Sequence, residues 1–146
     1  MKSTETTISE ALIAALESAV GKANLLVADE EKTDYGSDET EDYHFMPGLV
    51  VKPGSASEIS AVMQLANEYK IPVTPRGAGT GLSGGALPVF GGIVLSTERL
   101  NKIIEIDERN LQATVEPGVV NQVFRDAVEA KGLFYPPDPA SRGSCF

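Results

Sequence analysis

Five glycines, Gly77, Gly79, Gly81, Gly84 and Gly85, fall within nine residues of the stretch Pro75-Arg76-Gly77-Ala78-Gly79-Thr80-Gly81-Leu82-Ser83-Gly84-Gly85-Ala86. Each glycine loses more backbone freedom on folding than any other residue, so such a run is unfavourable unless it meets a need. The needs that fit are a backbone turning through positive φ and a backbone that something must approach closely. Successive exposed N–H groups in such a loop form a concave anion site. A phosphate or pyrophosphate is the natural guest.

The remaining composition narrows the partners. The 146 residues carry a net charge of -9, the wrong sign for a nucleic-acid surface. No apolar run is long enough to span a bilayer, and no signal-peptide core follows the N-terminus. A single cysteine, Cys145, excludes an internal disulfide framework. A cytoplasmic protein is the expectation. The chain ends at Ser141-Arg142-Gly143-Ser144-Cys145-Phe146, directly after the turn Pro136-Pro137-Asp138-Pro139, and so reads as a fragment of a longer protein.

Periodicity gives the elements. A first helix opens at Thr7-Ile8-Ser9-Glu10, with Ile8, Leu12, Ala15 and Leu16 on one face and Gly21 as its stop. Residues 29–43 are acidic and lack an apolar period, so they read as a loop. Residues 48–52 form a short strand ended by Pro53-Gly54. Ser57 is expected to cap the next helix, whose core face is Ile59, Val62, Met63, Leu65 and Ala66. Residues 71–74 are the following strand, and the glycine loop comes straight after. Strand, helix, strand at this length predicts a parallel βαβ unit. Beyond Pro88 the texture becomes antiparallel. Strands are expected at 93–96, 103–106 and 111–115, the last two joined by the turn Asp107-Glu108-Arg109-Asn110. A helix over 119–131, with Val120, Val123, Phe124 and Ala127 inward, stops at Gly132.

Gly79-Thr80-Gly81-Leu82-Ser83-Gly84 matches G-x-G-x-x-G, a weak signal without context. A Rossmann dinucleotide site needs a helix to open at the loop, and Pro88, Gly91 and Gly92 leave no room for one. A Walker A loop needs Gly-Lys-Ser/Thr where Gly84-Gly85-Ala86 stands. A kinase loop needs valine where Ala86 stands. A purely structural glycine connection is the plain alternative. Arg76 beside the loop would pair with a phosphate or with a carboxylate of the acidic segment.

The glycine loop resembles the FAD loop of FAD-linked oxidases of the vanillyl-alcohol-oxidase type, with a PCMH-type FAD-binding domain. The nearest branch is the glycolate oxidase and D-lactate dehydrogenase group. Val50-Val51-Lys52-Pro53, Val115-Glu116-Pro117-Gly118-Val119 and Gly132-Leu133-Phe134-Tyr135-Pro136-Pro137-Asp138-Pro139-Ala140-Ser141 carry the resemblance further. It implies an α+β fold: a small parallel βαβ subdomain over residues 1–88, then the start of an antiparallel subdomain over residues 89–146, with FAD between the two. Carried onto this chain, Arg76, Gly77, Ala78, Gly79, Thr80, Gly81, Ser83 and Gly84 would hold the FAD pyrophosphate. Asp138 and Ser141 would lie in a second flavin-contacting turn, with Glu116-Pro117-Gly118 nearby, and Tyr35 to Thr40 would shape the cleft. As a turn residue between prolines, Asp138 also has an ordinary structural role.

Some relatives bond FAD through a histidine in this loop. Thr80 stands at that position, so the resemblance implies non-covalent FAD. The implied function is oxidation of a D-2-hydroxy acid such as glycolate or D-lactate by hydride transfer to FAD, with electrons leaving to another acceptor such as an iron–sulfur subunit. That chemistry needs a base on the hydroxyl and a cation for the carboxylate, and no residue here qualifies as either. Self-association through an open sheet edge is expected. Two rivals stand beside this reading: an anion- or protein-binding module without chemistry, and a sibling flavoenzyme such as an alkyl-dihydroxyacetonephosphate synthase or a cell-wall precursor reductase. The run Asp38-Glu39-Thr40-Glu41-Asp42 lacks calcium-loop ligand order and reads as a solvated charge run. His44, the one histidine, reads as a surface or packing residue.

Overall fold

The computed structural model describes residues 8–146; Thr7, where the first helix is expected to open, lies outside them. Helix α1 (Glu10–Val20) begins where the Ser9 side chain accepts from the Leu12 N–H, an N-cap that satisfies one of the helix's orphan donors. Strand β1 (Leu25–Leu26), a four-residue helix α2 (Asp29–Lys32) and a 3₁₀ turn (Thr33–Gly36) follow. The acidic segment read as a plain loop is therefore partly helical. Its apolar content is too low to give a period, and Lys32 fixes it instead: the ammonium is buried and donates to the Gly48 carbonyl at 2.9 Å.

Strand β2 (Leu49–Val51) leads into helix α3 (Ala56–Tyr69) and strand β3 (Val73–Arg76). Ser55, not Ser57, caps α3. The Ser55 hydroxyl accepts from the Glu58 N–H at 3.2 Å, and the Glu58 carboxylate reaches back to the Gly54 N–H at 2.7 Å. That reciprocal serine–glutamate spacing is the capping signal. Met63, expected in the core, is 45% exposed.

Strand β4 (Ile93–Ser96) brings the main correction to the sequence reading. It opens no antiparallel sheet but lies between β2 and β3, parallel to both, in the order β1-β2-β4-β3, with β1 antiparallel at the edge. The βαβ unit is thus split by a later strand. Local sequence carries no mark of that insertion, because pairing with non-neighbouring strands is a tertiary choice. On one face, Leu49, Val51, Ile93 and Leu95 pack with Leu12, Leu16 and Val20 of α1 and Val62 and Ala66 of α3. Val50 and Val94 alternate to the other face and are also fully buried, so the sheet is covered on both sides.

Strands β5 (Ile103–Asp107) and β6 (Gln112–Val115) form the expected antiparallel hairpin, a second sheet of its own. Its register steps from Ile103↔Val115 to Glu105↔Thr114, which leaves Ile104 as the extra residue of a β-bulge. The bulge breaks the alternation that would place Ile104 and Ile106 together, and Ile104 is 63% exposed. Helix α4 (Asn121–Glu129) ends before Gly132. Its inward residue is Val128, whereas Val123, expected inward, is exposed.

Candidate functional site

Three parallel strands end at one edge of the sheet, and open parallel sheets present their ligand crevice beyond the carboxyl ends of their strands. Here β2 ends into Lys52, β3 ends at Arg76 and the glycine loop, and β4 ends into Thr97 and Glu98. The register Arg76↔Ser96 places those two side chains on the sheet face opposite α1 and α3.

The glycine loop borders a hollow of about 350 Å³ whose walls include Gly77, Gly79, Thr80, Gly81, Ser83 and Phe146. Ala78 lines it too. Among the described residues, no backbone N–H of Gly77, Ala78, Gly79, Thr80 or Gly81 donates to a protein acceptor. Gly77, Ala78, Gly79 and Thr80 are half-buried and Gly81 is exposed, and a row of unengaged N–H groups of this kind suits an anionic acceptor. Gly79 turns the row at φ +76°, and a Cβ there would collide with the Arg76 guanidinium. A residue other than glycine would have to displace that guanidinium or the loop above it. The donor set therefore fits a pyrophosphate.

Gly84 behaves differently. Its N–H is already taken, donating to the Thr40 hydroxyl at 2.8 Å, so it shapes the loop from within. Arg76 is likewise committed. Its Nη1 donates to the Ser37 carbonyl at 2.7 Å and its Nη2 to the Asp34 carbonyl at 3.1 Å. Backbone carbonyls of the acidic segment, and no carboxylate of the described residues, accept from these two nitrogens.

A second hollow of about 330 Å³ adjoins the first, sharing Gly77, Ala78 and Phe146 and adding Asp34, Tyr35 and Glu98. Its floor is a polar network. Glu98 accepts from the Tyr35 hydroxyl at 3.0 Å and the Ser96 hydroxyl at 3.1 Å, and pairs with Lys52 at 2.8 Å. Two cations approach the Tyr35 ring, Lys52 at 5.5 Å and Arg76 at 5.6 Å from its centroid. Burial raises the Tyr35 pKa, with Glu98 adding to it. Burial would also raise Glu98, but the hydrogen bonds from Lys52 and Tyr35 outweigh it and hold the carboxylate below its ordinary value. Burial would lower Lys52, and Glu98 together with Tyr35 reverses this. Every member is charge-matched, which makes the network a fixed support. The sequence singles out Tyr35 within the acidic segment but does not mark Glu98 or Lys52 as site residues. Their signal is positional, at the ends of β4 and β2, and emerges only once the strand order is known.

The proline-rich turn reaches the site through its end. Arg142 and Cys145 carbonyls accept from Gln122 and Asn121 at the start of α4, at 2.9 Å each, and Phe146 then covers Gly77. Asp138 and Ser141 line neither hollow. Asp138 pairs with Arg142 at 2.7 Å and Arg125 at 2.8 Å, and Arg142 is the main reason its pKa is lowered. The Ser141 carbonyl accepts from the N–H groups of Ser144 and Cys145. His44 is exposed, its Nε2 3.2 Å from the Thr33 carbonyl. Among the described residues, no three His, Cys, Asp or Glu side chains converge as a metal site, and no helix is long and apolar enough to cross a membrane.

Comparison with known proteins agrees with this geometry. A family model described as an FAD binding domain matches residues 47–146. The glycolate oxidase subunit GlcD of Bacillus subtilis (strain 168) is 50% identical over 107 residues, 73% of this chain and 23% of that protein. A D-lactate dehydrogenase of Anaerostipes hadrus is 42% identical over 125 residues, 84% of this chain and 26% of that protein. The chain thus spans about a quarter of the length of these relatives. The solved structure of an alkyldihydroxyacetonephosphate synthase superposes with a TM-score of 0.85 over 95% of this chain and 30% of that one, at 19% identity, a likeness of fold alone. With its donor-lined glycine loop inside the matched span, the chain belongs to the FAD-binding-domain family, and FAD is its cofactor.

Proposed function

We propose that this chain supplies the pyrophosphate-binding side of a flavoprotein that oxidises a D-2-hydroxy acid of the glycolate or D-lactate type. The observation that carries the binding part is the row of unengaged N–H groups from Gly77 to Gly81 beside a hollow. Backbone donors of this kind recognise phosphate oxygens by hydrogen bonding and positive potential. Bound FAD supplies a hydride acceptor. The residues of this chain would hold and orient it: the glycine loop by its N–H groups, the Tyr35–Glu98–Lys52 network by tying the ends of β2 and β4 together. The substrate class rests on the relatives, a glycolate oxidase subunit and a D-lactate dehydrogenase.

Thr80 supports non-covalent attachment, since a hydroxyl cannot form a histidyl–flavin bond. Asp138 and Ser141 belong to this reading as a second contact with the cofactor, made through the turn that carries Phe146 to the loop. An iron–sulfur electron acceptor, a cytoplasmic location and self-association through the open hairpin edge complete the proposal. The test is to express the complete reading frame that encodes the chain and purify the product without added flavin. A yellow protein that releases FAD on denaturation and is reduced by glycolate or D-lactate is expected. A protein that neither retains nor rebinds FAD overturns the reading and favours an anion-binding module.

A further inference from the structure

The glycine loop is held by a strap, residues 34–40, that approaches it from beneath. Three ties join them. The Glu39 N–H donates to the Gly81 carbonyl at 3.1 Å, the Gly84 N–H donates to the Thr40 hydroxyl at 2.8 Å, and Arg76 binds the strap's Asp34 and Ser37 carbonyls. The strap is itself braced: Asp38 Oδ1 accepts from the Thr40 N–H at 2.9 Å, and Tyr35 lies beside the Arg76 guanidinium. In a trans peptide the C=O and the following N–H point opposite ways. Tying the Gly81 carbonyl to the strap therefore turns the Leu82 N–H away from it. Tying the Gly84 N–H removes a loop donor that would otherwise compete for the guest. The guanidinium under Gly79 fills the space into which the loop would collapse.

We propose that Thr40 and Arg76 are positioning residues that preorganise the glycine loop for a pyrophosphate-bearing ligand, acting through the loop and not by touching the ligand; this rests on the flavin reading above. A loop ordered beforehand binds without the cost of ordering at the moment of binding. Thr40 matters through its oxygen, because its loss leaves the half-buried Gly84 N–H without an acceptor. Arg76 matters through its fork, which reaches two carbonyls at once where a lysine ammonium is a point charge on a flexible stem.

The experiment compares Thr40→Val, Thr40→Ser and Arg76→Lys in the protein from the complete reading frame, titrated with FAD, ADP and riboflavin. Thr40→Val is expected to weaken FAD and ADP by about tenfold, the effect of one lost acceptor for a half-buried donor, while riboflavin, which has no phosphate, binds as before. Thr40→Ser restores both affinities. In Thr40→Val the Gly84 amide exchanges faster with solvent, while the Val94 amide in the sheet exchanges as before. Arg76→Lys reproduces the loss for FAD and ADP. Unchanged FAD affinity in Thr40→Val, an equal loss for riboflavin, or failure of Thr40→Ser to rescue each overturns the inference. If the unaltered protein binds neither FAD nor ADP, the flavin reading itself falls, and the wild-type titration alone reports that.

Discussion

The two sheets of this chain are built on opposite terms. In the four-stranded sheet Leu49, Val50, Val51, Ile93 and Val94 have no exposed surface. In the hairpin every residue of β6 is exposed, as are Ile104 and Glu105 of β5. The first sheet ends in two hollows bordered by the backbone donors of the glycine loop and by a satisfied ionic network. Beside the second lies a hollow of about 330 Å³ whose walls are side chains of the hairpin and of the segment after α4, among them Ile106, Leu111, Gln112, Leu133, Phe134 and Tyr135. Burial on both faces makes a platform rigid enough to aim a loop, whereas a hairpin open on its faces contributes little to that rigidity. The proposed anion recognition accordingly falls to the loop carried by the first sheet.

Core truncation breaks the comparison most strongly. Ile93→Ala is expected to lower unfolding free energy by about 2–5 kcal/mol, the range for deleting a fully buried aliphatic side chain. Ile104→Ala on the hairpin bulge should stay within about 0.5 kcal/mol, as exposed substitutions do. Urea midpoints of the two variants measure this, and equal losses would mean that the hairpin is as integral as the sheet.

Glycine replacements sharpen it next. Gly79 and Gly132 share positive φ, +76° and +73°, so alanine at either meets backbone strain of about 1–2 kcal/mol. Only Gly79 also has the Arg76 guanidinium in the path of a Cβ; Gly132 has nothing within 4 Å. Gly79→Ala should therefore cost more stability than Gly132→Ala and should abolish flavin retention, which Gly132→Ala leaves in place.

A smaller effect is expected at the helix starts. Ser55→Ala removes a capping acceptor from α3 and should cost about 1 kcal/mol. Helix α4 has no side-chain cap at Val120, and Val120→Ala should have no capping effect. Thermal melts of the two variants check the contrast.

The smallest effect is in pH. The Glu98 pKa is lowered on folding from an ordinary value of 4.5, so its contribution is complete above that value and fades as pH falls through the lower folded value. Wild type and Glu98→Gln should differ in stability near pH 7 and converge in acid. Asp138 is also lowered, but it is exposed, so Asp138→Asn should show a weaker divergence that salt removes. Parallel pH–stability curves for wild type and Glu98→Gln would contradict the network's role.

Local chemistry made much of this legible. Ser9 before an apolar stripe, the helix, strand and glycine-loop succession, and the Asp107–Asn110 turn all act between residues close in sequence. The hairpin turn shows it directly, with Asp107 Oδ1 accepting from the Arg109 and Asn110 N–H groups at 3.0 Å each. The insertion of β4 between β2 and β3 was not legible, because it is decided by packing between strands tens of residues apart. The same insertion brings Glu98 beside Tyr35 and Lys52, so the support network stayed hidden with it. The glycine loop predicts an anion site, yet which of its N–H groups stand open depends on the strap: Gly84 is engaged because Thr40 lies beside it.

In the proposed reading the N–H row of Gly77 to Gly81 receives the FAD pyrophosphate. Amide hydrogen exchange of the protein from the complete reading frame, with and without FAD, tests it most directly. Slowed exchange at Gly77 through Gly81 on FAD binding is the expected result, with Gly84 already slow in its absence. Bound FAD that leaves those five amides exchanging at their free rates would contradict it.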